Sequence, residues 1–305
     1  MRPSPRPGSP EILYEDKDLV VVDKPAGLPT IAPEGASGRT RNLYDWVTEH
    51  IRRRNPKGRA AVVHRLDRDT SGVVVFATGG AAKRELMSRW NELVRTRSYV
   101  ALVEGRPDGD SGVLDSWLRE NRAGTVYEAP PGSPGALRAV TRWRLLESGG
   151  GYSLLGLELE TGRKHQIRVQ LAAIGHPVAG DSRYGARTDP AGRLALHATS
   201  IELERPFGDG VVRAESPVPE SFLRPLRGRG KDLYYVPGGA KQRPFPEAGS
   251  PAAGSDTEGP GARAPGGGYM KEKSKQAKEP KKKAQKTLKE KRKEKKEKAA
   301  NKSEE

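Results

Sequence analysis

Apolar residues run out well before the chain does. After Met270 the only large aliphatic residue is Leu288, and the Lys/Glu-rich stretch 271–305 offers no helix a face to bury. Residues 237–270 are mostly Gly, Pro, Ala and Ser without periodic apolar positions, too little burial to offset chain entropy. A folded unit is therefore expected over residues 11–236, preceded by a disordered N-terminus at 1–10. A Gly/Pro-rich linker at 237–270 and a disordered basic tail at 271–305 are expected to follow it. The tail carries 16 Lys and Arg against 7 Glu, more than half of the formal +16 of the 305-residue chain. It reads either as a solvated segment or as a nonspecific phosphate-binding arm whose lysines release condensed counterions.

Composition also removes whole classes of chemistry. No run approaches the roughly 18 apolar residues of a spanning helix. The start of the chain, with Pro3, Pro5, Pro7 and Pro10, lacks the apolar stretch of a secretion signal. A cytoplasmic protein without a membrane partner is expected. The absence of cysteine excludes a disulfide framework, a thiolate zinc site, an iron–sulfur cluster and a cysteine nucleophile. Carboxylates, hydroxyls and five scattered histidines remain.

Within the folded unit, short apolar segments at 11–15 and 18–23 read as strands around a polar turn, ending at Lys24-Pro25-Ala26-Gly27. Leu43, Trp46, Val47 and Ile51 lie at helical spacing, which predicts a helix over 42–54. A strand over 73–77 and a helix over 81–93 follow. Further strands are expected at 99–104, 139–146, 155–159 and 194–203; in the third, Leu155, Leu157 and Leu159 alternate with Gly156 and Glu158, the pattern of a half-buried strand. Residues 164–174 fit a helix with Ile167, Leu171 and Ile174 as its apolar stripe. Strands joined by short loops with few helices predict an α+β class, a mixed layer rather than a doubly wound parallel sheet. No internal repeat is present.

The densest polar segment, Val63-His64-Arg65-Leu66-Asp67-Arg68-Asp69-Thr70-Ser71-Gly72, runs straight into an apolar strand. Such a loop is held rigidly while its side chains stay accessible, which suits a catalytic group. It reads equally as a turn in which Asp67, Asp69, Thr70 and Ser71 cap backbone N–H groups and Gly72 supplies a permissive torsion. His64 and Asp67 have the chemistry of metal ligands, but no HExxH motif or second histidine cluster accompanies them, and no metal site is expected. A second constellation, Thr161-Gly162-Arg163-Lys164-His165-Gln166-Ile167-Arg168, places three bases near the start of a helix, to grip phosphate or to form a solvated face. Arg168 adjoins Ile167 and precedes Leu171 by about one turn, so it is expected to be partly buried. A buried guanidinium demands a carboxylate, for which Asp67 is the natural candidate. Tyr99, in the segment Arg97 to Gly105, is either a core residue with its hydroxyl at the rim or a platform for an unstacked base.

Together these segments resemble the RluA-type family of RNA pseudouridine synthases across most of residues 11–225. The likeness lies in Asp23-Lys24-Pro25-Ala26-Gly27, His64-Arg65-Leu66-Asp67 with Thr70-Ser71-Gly72, Tyr99 through Gly105 and Thr161 through Arg168. It continues in Gly175-His176-Pro177, Gly180-Asp181, Tyr184-Gly185 and Leu196-His197-Ala198. The resemblance implies a mixed, mainly antiparallel sheet flanked by helices and loops, and an isomerase. Uridine becomes pseudouridine as the N1–C1′ bond breaks, the uracil rotates and rejoins through C5, and the C5 proton leaves, with no metal or cofactor. It implies that Asp67 is the catalytic aspartate and Arg168 the arginine that pairs with it. Tyr99 is the aromatic that contacts the target base and assists proton removal, and Arg65 the arginine that helps displace the flipped nucleotide.

Lys24, Arg163, Lys164 and His165 complete the expected RNA-binding set, although Lys24 and Pro25 fall on a motif packed beside the site, where a structural role is expected more than a chemical one. His165, His176 and His197 are read as structural or backbone-contacting. Arg97 stands where the family often has lysine, a swap that keeps charge but not hydrogen-bond geometry, and it is given no catalytic role. The pattern starts by about residue 11, so no small S4 RNA-binding domain is expected ahead of it. The expected partner is ribosomal RNA, with transfer RNA as the alternative, and the expected state is a monomer. Two other classes, a non-catalytic RNA-binding protein and a metal-dependent hydrolase using His64 and Asp67, fit the motif set less well.

Overall fold

The computed structural model describes residues 8–33, 35 and 40–227. The expected linker and tail, residues 228–236 and most of the N-terminal segment lie outside the described residues. In chain order the elements are β1 (Glu11–Glu15), β2 (Leu19–Lys24), α1 (Leu43–Arg52), β3 (Ala61–Val62), β4 (Ser71–Ala77), α2 (Gly80–Ser88), α3 (Trp90–Leu93) and β5 (Val94–Glu104). Then come β6 (Ser111–Glu120), β7 (Val126–Glu128), β8 (Leu137–Gly149), β9 (Tyr152–Leu159), α4 (Gln166–Ala173), a 3-10 turn at Ser182–Tyr184, β10 (Leu196–Glu204), β11 (Val211–Glu215) and α5 (Glu220–Leu223).

The strands form one mixed sheet in the order β1-β2-β4-β10-β5-β9-β8-β6-β7, with β3 also on β4 and β11 also on β10. Only the β4–β10 pairing is parallel among the described residues, so the expected α+β layer with a mainly antiparallel sheet is what forms. At that parallel crossing Gly72 takes φ +106°, and a Cβ there would lie 2.0 Å from the carbonyl oxygen of Ala198. No other residue fits.

Side chains alternate across the sheet with period two. Val20, Val22, Val74 and Phe76 pack with Leu43, Val47 and Ile51 of α1 and with Ile167 and Leu171 of α4. Leu19, Val21, Val73 and Val75 face the opposite way, onto Ala82, Leu86 and Leu93 of α2 and α3. No helix among the described residues is long and apolar enough to cross a membrane.

Three expectations are corrected and three strands were not foreseen. The strand expected at 155–159 is not half-buried: Ser153 to Leu157 are all buried, because the strand lies mid-sheet, while Leu159 is only partly covered. The helix expected over 81–93 breaks at Arg89, whose backbone leaves the helical region at φ −118°, ψ 24°. Ile174 caps α4 and is 41% exposed, so it is no part of the apolar stripe. Strands β6, β7 and β11 carry too few buried residues to have shown an apolar pattern.

Candidate active site

The loop joining β3 to β4 carries Asp67 and is fastened from both sides. Thr30 Oγ1 donates to the Leu66 carbonyl at 2.8 Å and accepts the Leu66 N–H at 3.2 Å. Lys24 Nζ donates to the carbonyls of Arg68 and Leu28 at 2.8 Å each and of Pro25 at 3.0 Å. Lys24 is 0% exposed. The expectation that it contacts RNA is therefore corrected: all three ammonium hydrogens are spent on backbone carbonyls, and its role is to hold the loop. Burial pulls Lys24 down to about 7, against the attraction of Asp69 and Asp67. The capping alternative for this loop is corrected too. Asp67 faces Arg168, Asp69 pairs with Arg68, and Ser71 bonds His197; only the permissive torsion of Gly72 is realised.

Helix α4 brings Arg168 to Asp67. Gln166 and Gln170, one turn apart, dock the helix on β8: Gln166 Nε2 donates to the Val140 carbonyl at 3.0 Å and Gln170 Nε2 to that of Ala139 at 2.9 Å. Arg168 lies two residues from each, hence on the other side of the helix. Its Nη1 donates to Asp67 Oδ2 at 3.0 Å, the pairing expected from burial alone. Its remaining edge is gripped by Asp181 at 2.7 Å (Nε to Oδ2) and 2.9 Å (Nη2 to Oδ1), with the Asp181 side chain 1% exposed. The Tyr184 ring lies 5.0 Å from the guanidinium carbon. Burial works against the Arg168 charge, but the bonds and charge of Asp181, with those of Asp67, outweigh it and raise its pKa.

Asp181 and Tyr184 are the contacts of Arg168 that the motifs contained without revealing. Both stand in quoted segments, Gly180-Asp181 and Tyr184-Gly185, but nothing local shows that a loop aspartate thirteen residues from Arg168 ends up fully covered.

His165 precedes α4, with its side chain 9% exposed. Its Nδ1 lies 2.6 Å from Tyr184 Oη and its Nε2 3.7 Å from Asp67 Oδ2. It is therefore a side chain facing the aspartate rather than a backbone contact. His176 and His197 are structural as expected, the first bonding the Glu104 carbonyl and the second, 2% exposed, lying between Ser71 and the Ser216 carbonyl.

Asp67 and Arg168 open onto a cleft of about 860 Å³ that Trp90, Tyr99 and Leu196 also line, together with His64 and Arg97. Tyr99 sits mid-strand in β5 beside Leu157 and Ala198, 7% exposed. Burial pushes its phenol up to about 12, with Arg97 opposing and Asp67 adding to the rise. His64 stacks on Trp90 (centroids 5.6 Å apart, planes at 29°) and turns Nδ1 to the Val75 N–H, away from any shared ligand position with Asp67. Burial, helped by Arg97, drives it down to about 3. Arg97 donates to the carbonyls of Leu159 and Glu160. At the rim Arg65 is exposed and has no ionic partner among the described residues, while Arg163 donates to the Arg138 carbonyl and Lys164 pairs with Glu120.

The arrangement is a carboxylate aimed by a fixed cation, sharing with a buried phenol a cleft that has cations at its mouth. The family model described as RNA pseudouridylate synthase matches residues 18–173. The chain is 37% identical over 217 residues to the uncharacterized RNA pseudouridine synthase YhcT of Bacillus subtilis, covering 70% of each chain. It is also 37% identical over 250 residues to the ribosomal large subunit pseudouridine synthase D of Nitrosomonas europaea, covering 77% of this chain and 68% of that one. Among solved structures it is similar to human RNA pseudouridylate synthase domain containing 4, with a TM-score of 0.58, 25% identity and coverage of 70% and 91%.

Proposed function

The chain belongs to the RluA-type RNA pseudouridine synthases, isomerases that act on RNA, and on that premise we propose that Asp67 is its catalytic group and ribosomal RNA its substrate. The observation that carries the catalytic assignment is the 3.0 Å pair of Asp67 with Arg168 inside the cleft that Tyr99 faces. Glycosidic cleavage and rejoining through C5 need a carboxylate that stays ionised and stays aimed, as a nucleophile or a base must. A guanidinium fixed on its far edge by Asp181 supplies the counter-charge and the aim. Tyr99, which burial keeps protonated at neutral pH, contacts the uracil and takes the C5 proton only by passing its own hydroxyl proton on to water or an RNA phosphate oxygen in the same step. Arg65 at the mouth takes the space the extruded nucleotide vacates, and Arg163 and Lys164 meet the flanking phosphates. Unstacking the uridine costs a few kcal/mol, which cationic contacts help to offset.

The substrate assignment draws on the relatives named for the large ribosomal subunit. We read the protein as a cytoplasmic monomer, with the basic segment 271–305 adding salt-sensitive affinity. Deleting residues 240–305 is then expected to weaken RNA binding and flatten its salt dependence, measured by titration at several salt concentrations.

The deciding experiment offers ribosomal and transfer RNA, each tritiated at uracil C5, to the wild type and to Asp67→Asn. Release of tritium to water from ribosomal RNA by the wild type alone is expected. Release by the variant at the wild-type rate would remove Asp67 from the mechanism; release from transfer RNA only would overturn the substrate assignment.

A further inference from the structure

His165 is the only non-glycine residue with positive φ among the described residues, at φ 53°, ψ 19°. That left-handed backbone is unfavourable for an L residue, and such strain persists where surrounding contacts fix it. It contributes no side-chain cap to α4. What the conformation achieves is to aim the ring between two partners, Tyr184 Oη on Nδ1 and Asp67 Oδ2 on Nε2.

Those partners set where the ring proton lies. Tyr184 Oη accepts the Val126 N–H at 3.3 Å, and its own hydrogen has no acceptor among the described residues other than Nδ1 at 2.6 Å, which therefore takes it. With Nδ1 an acceptor, the neutral ring carries its proton on Nε2, facing the carboxylate. The opposite tautomer would leave the phenol hydrogen unused and turn a lone pair on an anion. Burial favours the neutral ring over the imidazolium, although Asp67 pulls the other way. Arg168 Nη1 and His165 Nε2 thus converge on the same oxygen, Oδ2. Among the described residues Oδ1 takes no hydrogen bond.

We propose that His165 is a positioning residue for the reaction: a neutral imidazole, its tautomer set by Tyr184, whose Nε2–H clamps Asp67 Oδ2 beside Arg168 and leaves Oδ1 as the oxygen that meets the nucleotide. At 3.7 Å the contact is longer than a hydrogen bond, and the clamp requires it to shorten when RNA fills the cleft. The proposal rests on Asp67 being the catalytic group.

Two measurements on the full chain test it. Nitrogen-15 NMR of the histidine rings in the free wild type is expected to show His165 as the Nε2–H tautomer at pH 7, and Tyr184→Phe is expected to release that preference. An Nδ1–H ring or an imidazolium in the wild type overturns the proposal. Tritium release is then compared among His165→Asn, His165→Gly and His165→Gln. Asn and Gly accept the left-handed backbone but cannot present a donor at the Nε2 position, whereas Gln can. The expectation is an about tenfold loss in kcat for Asn and Gly with KM within about twofold, and recovery of most of that loss by Gln. Wild-type kcat in the Asn variant, or Gln no better than Asn, overturns it. Absence of tritium release from the wild type would count against the proposed function instead, while the tautomer measurement would still decide the geometry.

Discussion

The two walls of the cleft keep their polar groups in opposite ways. On the α4 wall the charges stay and are paired: Arg168 lies between Asp67 and Asp181, and every edge of its guanidinium has a carboxylate. On the β5 wall burial removes charge instead, pushing Tyr99 up to about 12 and His64 down to about 3, while Arg97, its pKa lowered by burial, finds only carbonyl oxygens. A neutral uracil and a charged catalyst ask for this division. One wall offers a preset field that needs no reorganisation, and the other a neutral imidazole and phenol beside a guanidinium, Arg97, already turned to carbonyl oxygens.

The contrast breaks most severely at Asp181. Asp181→Asn keeps the size and one acceptor but leaves the buried edge of Arg168 short of its counter-charge. Breaking a buried pair from one side costs about 4 kcal/mol. Urea unfolding should show a loss of that size, and tritium release should fall at least about a hundredfold as Arg168 loosens from Asp67. A variant that unfolds like the wild type would mean that Asp67 alone keeps the guanidinium in place.

Tyr99→Phe makes the complementary cut on the other wall. The hydroxyl has no hydrogen-bond partner among the described residues, so its removal should leave stability within about 1 kcal/mol. Proton-transfer groups contribute roughly a hundredfold or more, and tritium release should drop by about that factor. Loss of stability without loss of rate would make Tyr99 a packing residue, the plainer of the two readings its sequence allowed.

Legibility in the sequence followed the range of the interaction. The pairing of Arg168 with Asp67, 101 residues apart, could be expected because a guanidinium placed next to Ile167 and one turn before Leu171 must be covered, and a covered cation needs an anion. Asp181 had no such signal. Gly-Asp reads as a turn, and its burial exists only once Gly180, at φ +78° with the Arg193 carbonyl 2.3 Å from where a Cβ would sit, has folded the loop back. The structural role expected for Lys24 is what forms, but its partner could not be read for the same reason, since the carbonyl of Arg68 that holds it lies 44 residues on. Strand β6 was invisible because Leu118 is its only buried residue, and it is a strand by virtue of its ladder with β8. The break at Arg89 was hidden by a helical pattern that continues through it, with Glu85 and Glu92 both pairing with Arg89 across the break.

The smallest effect concerns how two buried histidines, His64 at the cleft and His197 in the core, stay uncharged. His64, lowered to about 3 by burial and secondarily by Arg97, and His197, lowered to about 4 by burial, bind a proton more readily in the unfolded chain, where histidine titrates near 6.5. Between those values the unfolded state holds more protons than the folded one. Stability from this source is complete above pH 6.5 and is lost as pH falls towards 3 to 4. His64→Phe keeps a ring against Trp90 but gives up the acceptor for the Val75 N–H, a cost that is the same at every pH. Comparing unfolding free energies at pH 7 and pH 4.5 cancels that constant. The wild type should lose about 2 kcal/mol more than the variant across the interval, while the share due to His197 remains in both. Equal losses would mean that His64 accepts its proton without leaving the wall, and that the cleft keeps its base-facing side apolar by shape rather than by excluding charge.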